Sequence, residues 1–435
     1  MRALLSLSLV LALAGCEIGF PVGATPTTPP TSTGTNDGGA PSDLLSVVRV
    51  DLGGLPAGAA ARRIDAALTD DSVGLALTFD TAVGTSVAFL SITLDGGLRD
   101  APTVVTSGAD GEAGASIAWD RPVDTYYLAW AEPGVPVPTF HLQAVGPNRH
   151  LAASKSVPMS EDGWTPTGLG LKLSDSRFLV GGVLLPEGST GSSAPFIFDL
   201  GELTGDVGSY DKQVVQGNFH LTSKLLGAES TCVSGSCQLV VRDVVDPHAQ
   251  LTFGSTAAAF NLYGMLVTDS QGVQTTHFSL SSPLGSGEAG AFPRVTTDGS
   301  RLVSFGQLDS GDLRLQTATG TALYRGGDGP AQAFGAPTGE TGFTPIALAL
   351  DGATGDALYA LGQPRADGML VFGSRQALDK SMGAKVSGSH LRVKGRARTS
   401  ATVQGEPVLL CGHSRCFAIW LEGTQVMFAE LPVGP

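Results

Sequence analysis

Val295-Thr296-Thr297-Asp298-Gly299-Ser300-Arg301-Leu302-Val303 is an alternating run that ends in an Asp-Gly-Ser turn and opens a second apolar run, with Asp312-Leu313-Arg314-Leu315 one turn further on. Alternation at a period of two predicts strands. The set recurs. Leu348-Ala349-Leu350-Asp351-Gly352 precedes Leu358-Tyr359-Ala360-Leu361 and Met369-Leu370-Val371-Phe372, and Leu173-Ser174-Asp175-Ser176-Arg177-Phe178-Leu179-Val180 repeats the first half. Val73, Leu75, Leu77 and Phe79 likewise share one strand face, as do Leu169, Leu171 and Leu173, and Ile346, Leu348 and Leu350. No stretch keeps a helical period with caps, so the chain reads as all-β.

The Asp-Gly-Ser-Arg-Leu-Val element resembles the turn between the first and second strands of many β-propeller blades. That resemblance implies a propeller from about Asp43 to the C-terminus, with seven blades expected and six or eight as neighbouring counts. The first cysteines of two similar hairpins, Cys232 and Cys411, are 179 residues apart. Four repeats of about 45 residues, the length of one four-stranded blade, would fill that interval. Radial repetition protects the edges of so much antiparallel sheet. Two tandem β-sandwiches are the alternative.

At the other end, Met1-Arg2 and the apolar run Ala3 to Ala14 lead to Gly15 and Cys16. A run of about a dozen residues is too short to cross a ~30 Å hydrocarbon core and reads as a secretory signal over residues 1–15. Leu13-Ala14-Gly15-Cys16 resembles the lipobox of bacterial lipoproteins, which implies cleavage before Cys16 and alkylation of its thiol by a diacylglyceryl group, with a further acyl chain such as palmitate on the protein. Glu17 is compatible with the outer membrane, at its periplasmic face or the cell surface. Residues 16–42, rich in Pro, Thr and Gly, hold too little apolar surface to fold and are expected to form a tether to a domain over residues 43–435.

Charged residues make up 15% of the chain, and the net charge is −14. Such acidity argues against nucleic acid as a partner and is explained most simply by solubility. The expected partners are the membrane, through the lipid, and an envelope protein or glycan. The protein is expected to be a monomer.

Besides Cys16, the cysteines form two local pairs, Cys232-Val-Ser-Gly-Ser-Cys237 and Cys411-Gly-His-Ser-Arg-Cys416. Each pair flanks a four-residue turn beside apolar runs, so hairpin disulfides Cys232–Cys237 and Cys411–Cys416 are expected outside the cytoplasm. A zinc site built from all four thiolates is the alternative.

Three further groups invite a functional reading. Asp80, Asp120, Asp175, Asp298 and Asp351, read as closing the first strand of their sets, would lie on one face of a propeller and offer oxygens to Ca²⁺. The plainer reading is that Asp favours such turns by bonding nearby backbone, and no cofactor is otherwise expected. His390, Arg392, Lys394, Arg396 and Arg398 alternate with apolar or small residues and would form an anion-binding stripe on one strand face, or simply a charged edge that blocks pairing. Trp119, Tyr126, Tyr127, Trp130 and Trp164 could stack on sugars, but core packing accounts for them more simply.

Motifs for catalysis are missing. There is no G-x-S-x-G, H-E-x-x-H or P-loop, and Gly285, Gly287 and Gly290 precede Pro293 with no helix to receive a phosphate. The seven histidines are dispersed. The expected function is therefore a non-catalytic binding scaffold in the cell envelope. The alternative is a propeller hydrolase or lyase acting on glycans or lactones from residues brought together by distant loops.

Overall fold

The computed structural model describes the strands from residue 44 to residue 432, and side chains chiefly in residues 44–158, 346–375 and 393–432. The chain divides into Met1–Ser42 and Asp43–Pro435. The second unit is a seven-bladed β-propeller, each blade a four-stranded antiparallel sheet.

In chain order, β1 (Val47–Arg49) belongs to the last blade. Blade 1 holds β2 (Ala60–Leu68), β3 (Ser72–Thr81), β4 (Gly84–Thr93) and β5 (Leu98–Thr106). Blade 2 holds β6 (Ala115–Asp120), β7 (Thr125–Glu132), β8 (Thr139–Val145) and β9 (Leu151–Pro158). Blades 3, 4 and 5 begin with β10 (Trp164–Ser174), β14 (Gly227–Val233) and β18 (Gly290–Thr297). Blade 6 runs from β22 (Thr344–Leu350) through β23 (Ala357–Gly362) and β24 (Met369–Arg375) to β25 (Val393–Arg398). Blade 7 holds β26 (Val403–Gly412), β27 (Arg415–Glu422) and β28 (Gln425–Leu431), and β1 completes it as the outermost strand. The first strands of successive blades adjoin one another around the centre, from β2 to β26 and back to β2. The ring is thus closed by the N-terminal strand pairing with the C-terminal one, Val48 opposite Phe428.

Blade-on-blade packing explains a feature that the alternating pattern conceals. In β3 every residue from Ser72 to Phe79 is buried. Val73, Leu75, Leu77 and Phe79 pack with Phe417, Ile419 and Phe428 of blade 7, whereas Ala76 packs with Leu128 and Trp130 of blade 2. The second face carries small residues because the neighbouring blade comes close. A Cβ on Gly74 would lie 2.3 Å from the Tyr126 ring.

Two details of the sequence reading are corrected. Cys232 lies in β14 of blade 4 and Cys411 in β26 of blade 7, so three blades of about 60 residues, not four of 45, span the interval. Asp80, in addition, does not share a face with Asp120 and Asp351. It lies near the end of β3, a second strand, opposite Ala60 at the start of β2, while Asp120 ends the first strand β6 and Asp351 directly follows the first strand β22 at the other side of the ring. We call the side where first strands begin the upper face.

Candidate functional site

Adjacent inner strands are tied by polar side chains that satisfy the unpaired edge of the next blade. Asp65 of β2 accepts from its neighbour Ala66 N at 2.9 Å, from Ile117 N of β6 at 3.0 Å and from the Ser116 hydroxyl. Ser116, buried, in turn accepts from Leu171 N of β10 at 2.9 Å. A strand edge facing the centre has no sheet partner, so these side chains supply the acceptors that buried N–H groups require.

On the upper face a second pattern repeats. Trp420-Leu421-Glu422 ends β27 and Trp130-Ala131-Glu132 ends β7, the second strands of blades 7 and 2. In blade 7 the carboxylate is consumed by structure. Glu422 is buried and accepts from Trp420 Nε1 at 3.3 Å, from the Ser400 hydroxyl at 2.6 Å, from Ala401 N at 3.1 Å and from Ser400 N. Ser400 and Ala401 belong to the connection from blade 6, so Glu422 pins one blade to the next.

Blade 2 uses the same position differently. The connection from blade 1 presents Gly108, whose missing Cβ would sit 3.0 Å from Glu132 Oε1. Glu132 has turned to His141 of β8, with Oε2 3.0 Å from Nε2, and keeps 45% of its side chain exposed. Trp130 Nε1 is left buried with no hydrogen-bond partner among the described residues. The Nε2–H of His141 does not point squarely at the carboxylate, so the 3.0 Å contact is a close approach and not an aligned hydrogen bond.

The other ring nitrogen of His141, Nδ1, lies 2.9 Å from Ser156 Oγ on β9. Trp130, His141 and Ser156 stand opposite one another across three strands, and Glu132 follows two residues after Trp130, so all four share one sheet face. The Trp130 ring stacks on the imidazole, centroids 5.2 Å apart and planes 14° apart. Burial holds His141 below the ordinary histidine range, and Glu132 works against that shift. The imidazole is therefore neutral near pH 7. Ser156 is exposed. A hydroxyl within hydrogen-bond reach of a neutral imidazole, with a carboxylate 3.0 Å from the other ring nitrogen, is an arrangement that can activate a nucleophile.

Sequence reasoning did not single out Glu132, His141 or Ser156. Its own candidates fall elsewhere. Asp80 accepts from Thr85 Oγ1 at 2.7 Å and pairs with Arg62 at 3.5 Å. Asp120 precedes a 3-10 turn without capping it, and burial lifts its carboxyl above the usual range. Asp351 makes a turn, with Thr354 N 3.4 Å from its Oδ1. Among the described residues, the one group of three metal-ligating side chains is Asp351 with Cys411 and Cys416, not a set of carboxylates.

Cys411 and Cys416 form a disulfide across the β26–β27 hairpin, with Cα atoms 4.2 Å apart. Cys232 and Cys237 stand opposite each other across the hairpin that opens blade 4. Lys394, Arg396 and Arg398 lie on β25, the outermost strand of blade 6, where Leu45 N donates to Arg396 O at 2.8 Å. Tyr127 and Trp130 are buried, as packing predicts. Cys16, Asp175, Asp298, His390 and Arg392 lie outside the described residues.

No family model matches the sequence. No curated protein is significantly similar to it. Among solved structures, an alpha-L-arabinanase of Penicillium chrysogenum aligns with 73% of this chain and 92% of its own at 11% identity and a TM-score of 0.44. The alpha-L-arabinofuranosidase Arb93A of Fusarium graminearum aligns over 77% and 98% at 11% identity and a TM-score of 0.43. An acylaminoacyl peptidase of Pyrococcus horikoshii aligns over 89% of this chain and 54% of its own at 9% identity and a TM-score of 0.44. At such identities the likeness extends to the fold alone. All three are enzymes by name, which runs against the expectation of a non-catalytic scaffold, and that expectation is not carried further.

Proposed function

We propose that this protein is a hydrolase of ester bonds, lactones included, with Ser156 as nucleophile, His141 as general base and Glu132 as the group that orients and stabilises the imidazole. The observation that carries the reading is the continuous contact Ser156 Oγ–His141–Glu132, at 2.9 and 3.0 Å on the two ring nitrogens. Ser156 Oγ attacks the ester carbonyl carbon while Nδ1 of His141 takes its proton. Collapse of the tetrahedral adduct breaks the acyl–oxygen bond, and the imidazolium returns the proton to the leaving alcohol. Water, deprotonated by the same nitrogen, then releases the acyl group from Ser156. In a lactone the leaving alcohol stays attached, and the product is the open hydroxy acid. Glu132 and the stacked Trp130 ring both favour the transient positive charge on His141.

The enzyme works outside the cytoplasm, held to the outer membrane by the lipid on Cys16. The lipobox-like segment supports this placement, and the Cys411–Cys416 bond fits an oxidising compartment.

Hydrolysis of p-nitrophenyl acetate and of a simple δ-lactone by the full chain tests the reading. Turnover above the uncatalysed rate is expected, and Ser156→Ala is expected to remove about 10³-fold or more of kcat/KM. Equal rates for the two proteins would overturn it.

A further inference from the structure

Asp351 closes the first strand of blade 6 at the lower face. Its N–H donates to Asp356 O at 2.9 Å, Gly355 N donates to its carbonyl at 2.7 Å, and Thr354 N approaches Oδ1. This turn holds the carboxylate against the neighbouring hairpin of blade 7. There a carboxylate oxygen of Asp351 and the sulfurs of Cys411 and Cys416 all lie within 4.8 Å of one another. Two elements from different blades thus bring three donor atoms to one point on the lower face.

Sulfurs joined in a disulfide do not bind a cation, but the same sulfurs as thiolates are strong ligands. Cys411 and Cys416 are directly opposite across the hairpin. Once the bond between them opens, their sulfurs need only reach the ~3.8 Å separation of two thiolates on one tetrahedral zinc ion, given Zn–S distances of about 2.3 Å. Two sulfurs and one carboxylate make a donor set suited to zinc and poor for calcium, which takes six to eight oxygens.

We propose that the Cys411–Cys416 disulfide masks a metal site: opened by a dithiol, the two sulfurs and the Asp351 carboxylate bind one Zn²⁺, with water as the fourth ligand. The dithiol supplies two electrons and two protons to the S–S bond and becomes a disulfide itself. Metal binding then displaces both thiol protons. The hairpin so exchanges a covalent staple for a metal one that also joins blades 6 and 7.

The test uses the full chain with Cys232→Ser and Cys237→Ser, which leaves Cys411–Cys416 as its one hairpin pair, and Co²⁺ as the probe. After reduction with dithiothreitol and its removal under argon, one equivalent of Co²⁺ is expected to give a thiolate-to-metal charge-transfer band in the near ultraviolet. The oxidised protein is expected to give none. Asp351→Asn, which keeps both thiols, is expected to weaken Co²⁺ binding about tenfold or more. Absence of the band in the reduced protein, or equal affinity with and without the Asp351 carboxylate, would overturn the proposal. A reduced chain that had lost its fold would give the second result.

Discussion

Trp420 and Trp130 hold the same place in their blades and differ in one hydrogen bond. Trp420 Nε1 donates to Glu422 at 3.3 Å, whereas Trp130 Nε1, also buried, has no partner among the described residues, Glu132 having turned to His141. A buried N–H without a partner costs about 1–3 kcal/mol. Blade 2 tolerates that cost where blade 7 does not, and what it gains is a carboxylate beside an imidazole that touches a serine. This internal comparison separates the proposed catalytic group from a scaffold residue at the same position.

The His141 environment fixes the pH profile. Burial lowers its pKa and Glu132 opposes that shift, so the acidic limb of kcat/KM should lie below the ordinary histidine value near 6.5. In Glu132→Gln the opposing charge is gone. The limb should then move to still lower pH, while the plateau falls. Movement of the limb upward would show that Glu132 does not act on His141. The same shift affects stability. Because the folded value lies beneath the unfolded one, protons favour the unfolded chain. The contribution is complete above about pH 6.5 and is lost as pH falls through the folded value.

Gly108 keeps Glu132 in place by carrying no side chain. A Cβ there would stand 3.0 Å from Oε1, and the flexible carboxylate would shift before the backbone did. Gly108→Ala should therefore leave the urea midpoint nearly unchanged and reduce kcat by roughly 10- to 100-fold, the effect of a displacement near 1 Å at a reacting group. A loss of stability with normal kcat would place Gly108 in the fold and not in the site.

Asp65 is the reverse case, a carboxylate spent on the ring. Its removal leaves Ile117 N and Ser116 without their acceptor between blades 1 and 2. Asp65→Ala should lower the free energy of unfolding by about 2–4 kcal/mol in urea titrations, with ester hydrolysis intact in the folded fraction. A change under ~0.5 kcal/mol would contradict the inner-strand role.

Much of the fold was legible in the sequence because strand alternation is local. Val73, Leu75, Leu77 and Phe79 announce a strand whatever surrounds it, and a turn such as Asp298-Gly299-Ser300 announces its end. Blade length was not legible, since the segments between strands carry no period. The site was hidden for a related reason. His141 and Ser156 are 15 residues apart and meet only because the β8–β9 register pairs them, a register that packing sets and the sequence does not announce. The recurrence of Trp-x-Glu at Trp130 and Trp420 was the one signal in the sequence that could have drawn attention to Glu132.

Covalent labelling of Ser156 tests the central claim most directly. The full chain treated with a fluorophosphonate and mapped by peptide mass spectrometry should carry one adduct, on Ser156, and His141→Ala should lose it. No adduct on Ser156, or labelling at the same rate without His141, would contradict the assignment of this hydroxyl as an activated nucleophile.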